Sequence, residues 1–266
     1  MESEADIKKN FTENLKAVEY HEEFHKILQD MKVYFEITSA FIFDVVKSQR
    51  FKGKKLLEIG SGATVHHIAC ASAYFPIIVQ SDFVKDNRET LKRWLKEDSP
   101  LDWSEFLNIP ARMEDFQSDV NEVRAKLESR IRSNVKAVVH GDILTDGVLS
   151  FDEISAEAIP PYDLIISILC LEVPCVDFES FVNALKRINK LLRTGGGIIM
   201  CSFYENSWWN VGKNVFPNLN VTLKEILLAM DLAGFGNHDL KSYSPIHNTH
   251  VKSEYGGFYC LASEKL

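Results

Sequence analysis

Positive charge is scarce in this chain. Its 266 residues carry 30 Lys+Arg against 38 Asp+Glu, for a formal net charge of −8 and a pI near 5.5. Nucleic-acid binders ordinarily present a basic face, so a small-molecule ligand is expected and no nucleic-acid partner. Long apolar runs are also missing. None approaches the roughly 18 residues of a spanning helix, which predicts no membrane association. The N-terminal MESEADIKKNF lacks an apolar signal core, and Glu264-Lys265-Leu266 misses a peroxisomal Ser-Lys-Leu; a cytoplasmic location is predicted. The five cysteines (Cys70, Cys170, Cys175, Cys201 and Cys260) form no CxxC pair, so buried reduced thiols are expected. Repeats, low-complexity tracts and domain linkers are absent. One domain over 1–266 is predicted, with 45% apolar residues sufficient for a sizeable core.

What the chain does have is organised around residues 56–87. An apolar run ending at Ile59 meets Gly60-Ser61-Gly62, and residues 65–73 are compatible with a helix. A second apolar run ends at Asp82, 20 residues after Gly62. Strand, glycine turn, helix and strand-end acid together make a nucleoside site. Glycine lets the backbone bend sharply and approach a ligand, and the acid accepts hydrogen bonds from ribose hydroxyls. A dinucleotide fingerprint needs a third glycine where Val65 stands, which disfavours an NAD-dependent dehydrogenase. Glu58, two places before the turn, would repel phosphate and attract a cationic amino acid group. S-adenosylmethionine (SAM) carries such a group.

Residues 1–50 show helical spacing and read as a helical N-terminal cap; the α/β pattern fills 51–266. Within the cap, His21-Glu22-Glu23-Phe24-His25 spells HExxH, which on a helix would offer two imidazoles to zinc with Glu22 as base. No third ligand or cleft is signalled beside it, so a solvated charged face is expected and no metal. Strands at 55–59, 77–80, 135–139, 162–172 and 197–203 alternate with helices at 85–96, 178–192 and 218–233, which implies a parallel sheet. Residues 98–134 interrupt it as an insertion containing a helix at 120–131. Two last strands, 238–244 and 258–263, are close enough in sequence to pair antiparallel. Asp142, beyond the third strand, would lie over the same crevice as Gly60 and Asp82 and accept a hydrogen bond from an adenine amino group. Glu172, beyond the fourth, is a candidate substrate contact.

These features resemble the seven-stranded, Rossmann-like α/β SAM-dependent methyltransferases. They are most similar to the small-amine N-methyltransferase family that includes nicotinamide, phenylethanolamine and indolethylamine N-methyltransferases. The carrying segments are Glu58-Ile59-Gly60-Ser61-Gly62-Ala63-Thr64, Ser81-Asp82-Phe83 with Asn87-Arg88 and Trp94-Leu95, Asp102-Trp103-Ser104, Ser167 through Glu172, and Ser207-Trp208 with Val211-Gly212. The resemblance implies SAM as cofactor, S-adenosylhomocysteine as product, an antiparallel last strand and a monomer. It implies cofactor contacts from Tyr20, Gly60, Ser61, Gly62 and Thr64 at the methionine end. Asp82, Phe83 and Asn87 would act near the ribose, Asp142 and Ile143 at the adenine, and Ile168 beside the sulfonium. His25 and His66 occupy cofactor positions where the family usually has tyrosine. Substrate contacts are implied for Glu172, Ser202, Asn206, Trp209, Asn218 and Glu254. Nicotinamide methyltransferases carry aspartate at Ser202. Phenylethanolamine methyltransferases carry glutamate at Glu172 and again at Asn206, and a last-loop aspartate near Ser253 or Glu254.

Methyl transfer needs a neutral nitrogen lone pair in line with the S–CH₃ bond, and most of the rate comes from holding that geometry. A protonated amine needs a carboxylate to bind it and remove its proton, with Glu172 and Glu254 as catalytic candidates; a pyridine nitrogen needs none. The expected activity is SAM-dependent N-methylation of a small, aromatic amine. Nicotinamide or pyridine methylation is the alternative within the class, and a catalytically silent SAM-binding sensor the alternative outside it.

Overall fold

The computed structural model describes residues 3–152, 154–246 and 254–266. Three helices come first: α1 (Glu4–Asn14), α2 (Ala17–Ile27) and α3 (Lys32–Lys47). A capping box starts α1: the Ser3 hydroxyl accepts from the Asp6 N–H, and the Asp6 carboxylate accepts from the Ser3 N–H. Only Ile7 of this helix is buried. α3 instead commits an apolar face, with Tyr34, Phe35, Phe41 and Ile42 all in the core.

The chain then alternates: β1 (Lys55–Ile59), β2 (Ile77–Asp82), α4 (Lys85–Leu95), α5 (Ser104–Glu114), α6 (Val120–Asn134), β3 (Val135–His140), β4 (Tyr162–Ile168), α7 (Phe178–Leu191) and β5 (Leu192–Tyr204). A hairpin follows, β6 (Trp208–Val211) and β7 (Asn214–Pro217), then α8 (Leu223–Leu232), β8 (Phe235–Tyr243) and β9 (Gly257–Lys265). Seven strands form one sheet in the order β3-β2-β1-β4-β5-β9-β8. The first five pair in parallel, and β9 runs antiparallel to both β5 and β8. The expected seven-stranded α/β sheet with an antiparallel final strand is the one observed.

Strand periodicity explains why both faces are covered. Leu56, Leu164 and Ile166 point into one core with Phe41, Leu91, Phe106 and Leu127. Leu57, Ile59 and Ile165 point into the other with Phe181, Leu185, Ile226 and Met230. Parallel strands buried on both faces need apolar residues at nearly every position, and each such side chain contributes about 1.5–3 kcal/mol. Because β2 lies on one side of β1 and β4 on the other, the loops leaving β1 and β4 splay apart at the carboxyl edge, where ligands of such sheets bind.

Several expectations need correction. Residues 65–73 form turns and one short 3₁₀ turn (Ala71–Ala73), not an α-helix. Val65, Ile68 and Ala69 are all fully buried, so the segment has no polar stripe to turn outward. Side-chain bonds also hold it: the Thr64 hydroxyl donates to the Ser61 carbonyl at 2.8 Å, and the Gln80 amide donates to the Thr64 carbonyl at 3.3 Å. The insertion holds α5 as well as the expected α6. α8 starts at Leu223 rather than 218, with Thr222 and Glu225 making a capping box. Strand β5 begins at Leu192, so the 192–197 segment serves the sheet rather than a loop. The β6–β7 hairpin was not anticipated.

Candidate active site

The β1 turn enters the cleft with two residues in the left-handed region, Gly60 at φ +69° and Gly62 at φ +59°. A Cβ on Gly60 would lie 2.1 Å from the Cys170 sulfur, and one on Gly62 would lie 3.7 Å from the Tyr20 ring. The turn is thus packed between the β4 loop and α2. Asp82, at the end of β2, pins it. Its Oδ2 accepts from the Gly62 N–H at 2.8 Å, and its Oδ1 accepts from the Val84 N–H at 2.8 Å and the Asn87 amide at 3.1 Å. Burial pushes the Asp82 carboxyl up, opposed by these three bonds. A carboxylate has about four acceptor positions, so capacity for a ligand hydroxyl is left.

Of the expected cofactor residues, Tyr20, Gly60, Gly62, Asp82, Phe83, Asn87, Asp142 and Ile143 line one cleft of about 820 Å³, counting its open side. Burial, and then the Asp82 charge, push the Tyr20 hydroxyl up, which keeps it a donor. Asp142 receives Lys8 Nζ of α1 at 2.5 Å on Oδ2 and the Leu144 N–H at 3.0 Å on Oδ1. Two buried polar atoms on cleft residues have no partner among the described residues: Asn87 Oδ1, an acceptor, and Trp209 Nε1, a donor. Orphans of this kind cost stability unless a ligand or water satisfies them. Glycine turn, strand-end acid and orphaned acceptor fit a nucleoside with an amino acid tail.

The other expected cofactor residues do not border this cleft. Ser61 and Thr64 lie buried under the turn, where the Ser61 N–H donates to the Ser81 carbonyl at 3.0 Å. Ile168 is buried at the end of β4, and its neighbour Leu169 reaches the cleft instead. His66 is enclosed by aromatic rings, including Trp103 at 5.3 Å and Phe106 at 5.2 Å. Burial, and next His67, hold it well below the ordinary imidazole range. His25 turns the other way, with Nε2 3.1 Å from the Asp102 carbonyl and 3.1 Å from His21 Nε2. His21 also meets that carbonyl at 2.8 Å. The HExxH pair therefore clasps α2 to the loop before α5. Among the described residues, no group of three His, Cys, Asp or Glu side chains is arranged for a metal ion.

Glu58 departs from expectation. Strand alternation turns it away from the cleft that Ile59 borders, and it is 1% exposed. Its Oε2 accepts from the Gln80 amide at 2.7 Å, and its Oε1 lies 3.1 Å from His67 Nδ1. It braces the turn from behind.

A second cavity, about 970 Å³ with its open part, adjoins the first and shares Tyr20, Leu169, Val173 and Trp209 with it. Ser202, Asn206, Trp209 and Asn218 border it as expected substrate residues. The Asn218 amide donates to the Asn206 carbonyl at 3.0 Å, and Asn206 Oδ1 accepts from the Trp208 N–H at 3.1 Å. Glu172 borders neither cavity. It is 1% exposed, accepts the Tyr259 hydroxyl at 2.5 Å, and bonds the Ser202 side chain. Burial raises its carboxyl despite those bonds. Glu254 is exposed and likewise borders neither cavity. Ser253 lies outside the described residues.

Sequence reasoning missed Lys8, Phe11, Glu23, Phe203 and Tyr255, all of which line one cavity or the other. Helical spacing places Glu23 and Phe24 on the face that also carries Tyr20, and this was the available signal for them. Nothing in the sequence distinguishes Lys8 from a solvated lysine.

Known proteins agree with this geometry. The NNMT/PNMT/TEMT family model matches residues 3–266. Phenylethanolamine N-methyltransferase of Sus scrofa is 31% identical over 217 residues, covering 80% of this chain and 74% of that protein. Nicotinamide N-methyltransferase of Homo sapiens is 26% identical over 98% of this chain and 97% of that one. Indolethylamine N-methyltransferase of Oryctolagus cuniculus is 29% identical over 73% of this chain and 70% of that one. Among solved structures, a Leishmania major SAM-dependent methyltransferase has the same fold, with a TM-score of 0.60 at 12% identity, covering 98% of this chain and 82% of that one. Magnesium protoporphyrin IX methyltransferase from Synechocystis, with bound SAM, shares the fold at a TM-score of 0.56 and 12% identity, covering 100% of this chain and 98% of that one. With residues 3–266 matched by one family model, the chain belongs to the NNMT/PNMT/TEMT family.

Proposed function

We propose that this protein is an S-adenosylmethionine-dependent N-methyltransferase acting on a small aromatic amine. The observation that carries this is the shared wall: two cavities meet at Tyr20, Leu169, Val173 and Trp209. One suits a nucleoside donor and the other an aromatic acceptor. When bound, SAM supplies a methyl group on a sulfonium: the acceptor nitrogen forms the N–C bond, the C–S bond breaks with its pair on sulfur, and S-adenosylhomocysteine remains. The chain's task is to hold the partners and exclude water.

In this reading Asp82 binds the ribose, with Asn87 and Phe83 beside it, and Asp142 and Ile143 meet the adenine. Tyr20 and the Gly60–Gly62 turn receive the methionine end, with Ser61 and Thr64 shaping the turn from beneath. Ser202, Asn206, Asn218 and Trp209 contact the acceptor, and the sealed Glu172 positions Ser202. His25, His66, Ile168 and Glu254 border neither cavity, so no ligand contact is assigned to them. The whole of 1–266 works as one domain, since one core joins α2 and α3 to the sheet. It acts in the cytoplasm, a reading supported by five unpaired cysteines, and as a monomer, as the family resemblance implies. No helix among the described residues is long and apolar enough to cross a membrane.

Incubation with SAM and a panel of arylalkylamines and pyridines, followed by mass spectrometry, tests the reading. At least one N-methylated product is expected, and none from any acceptor would contradict it.

A further inference from the structure

Among the described residues, the acceptor cavity carries one formal charge in its wall. Glu23 of α2 borders it, while the remaining lining residues are aromatic, aliphatic or neutral Ser and Asn. Glu23 follows Tyr20 by three positions, and residues three apart share a helix face. The carboxylate therefore stands next to the wall that both cavities share. The two carboxylates suggested by sequence do not reach this space. Glu172 is closed off behind Ser202 and bonded to Tyr259, and Glu254 is exposed on its loop.

Charge balance makes Glu23 consequential. An aliphatic amine, like a lysine, is a cation near neutral pH, and moving it out of water among Tyr20, Phe24, Phe203 and Trp209 requires a counter-charge. Glu23 is placed to give it. Its side chain is 22% exposed, so it faces both cavity and solvent, and Lys26 (56% exposed) holds its Oε1 at 2.8 Å. An incoming ammonium would compete with a solvated lysine for this carboxylate.

We propose that Glu23 binds the ammonium of an arylalkylamine acceptor and takes its proton. The proposal rests on the methyl-transfer reading given above. In the proton step one N–H bond breaks, an O–H bond forms on the Glu23 carboxyl, and the electron pair stays on nitrogen as the attacking lone pair. The proton then leaves to solvent through the exposed side of Glu23. The cavity thereby selects acceptors that pair an aromatic body with one positive charge.

Calorimetry on the full chain saturated with S-adenosylhomocysteine tests this, with 2-phenylethylamine as the cationic probe and quinoline as the neutral one. For Glu23→Gln, 2-phenylethylamine affinity should fall about 10- to 100-fold while quinoline and S-adenosylhomocysteine stay within about twofold, as expected for losing a hydrogen bond to a charged group. Lys26→Met, which removes the competing cation, should tighten 2-phenylethylamine up to about fivefold. In turnover, the Glu23→Gln deficit for 2-phenylethylamine should shrink as pH rises and more free amine is supplied. Unchanged amine affinity, equal loss for all three ligands, no amine binding by the native chain, or a deficit that does not change with pH would each overturn the proposal. Failure of the reaction itself reads differently. Amine bound through Glu23 with no methylated product from SAM would refute methyl transfer and leave the ammonium site standing.

Discussion

Glu172 and His66 are buried ionisable residues of opposite type, and their linkage to stability has opposite signs. Burial raises Glu172 above the usual 4.5. The stability linked to this raised carboxyl is present below that value and is lost as pH rises through the folded-state value. Burial lowers His66 below the usual 6.5, so its contribution is present above that value and is lost as pH falls. Thermal unfolding should therefore show Glu172→Gln gaining on the native protein from about pH 5 to about pH 8, and His66→Phe gaining in the reverse direction. Parallel melting curves across that range would contradict both. At this scale the sequence exposes some residues and hides others. Gly60, Gly62 and Asp82 are legible because strand ends fix their spacing. Lys8 is not, since its partner Asp142 lies 134 positions away. Glu58 was misread in direction, because the alternation that sends Ile59 to the cleft sends Glu58 behind the turn.

At the scale of elements, α1 and the β6–β7 hairpin roof the cleft together. The Asn10 amide donates to the Val215 carbonyl at 3.1 Å, the Asn214 amide donates to the Asn14 carbonyl at 3.2 Å, and Phe11 packs on Phe216 at 4.9 Å. With Ile7 its one buried residue, α1 belongs to the low-stability end of the molecule. The Lys8–Asp142 pair clips it down, and partly exposed pairs contribute at most about 1 kcal/mol. Hydrogen exchange should show residues 4–14 exchanging faster than α3, and Lys8→Met should speed α1 further, up to about fivefold, leaving α3 unchanged. Protection of α1 equal to that of α3 would contradict this. Helices with a clear apolar stripe, such as α4, α6 and α7, were legible in the sequence. α5 was masked by Pro110 within it, and the fully buried 65–73 segment looks helical only when its side-chain bonds are ignored. The hairpin was hidden because Trp209 was expected as a substrate contact and not as part of a strand; it stacks on Phe216 at 4.7 Å and lines both cavities.

Across the whole molecule, the alternation of apolar runs and helices made the sheet legible. Two cores built from opposite faces of the same strands are what that alternation demands. The acceptor site was less legible, because its wall is assembled from α2, β5, the hairpin and the last loop, which are distant in sequence. The central claim is that one donor lies across the carboxyl edge of β1 and β2, held through Asp82. Calorimetric titration of the native chain and of Asp82→Ala with S-adenosylhomocysteine, with melting curves confirming that the variant is folded, tests it directly. One site is predicted in the native protein, with affinity about 10- to 100-fold weaker in the variant, as expected for losing bonds to a charged acceptor. No uptake by the native chain, or equal uptake by the folded variant, would contradict it.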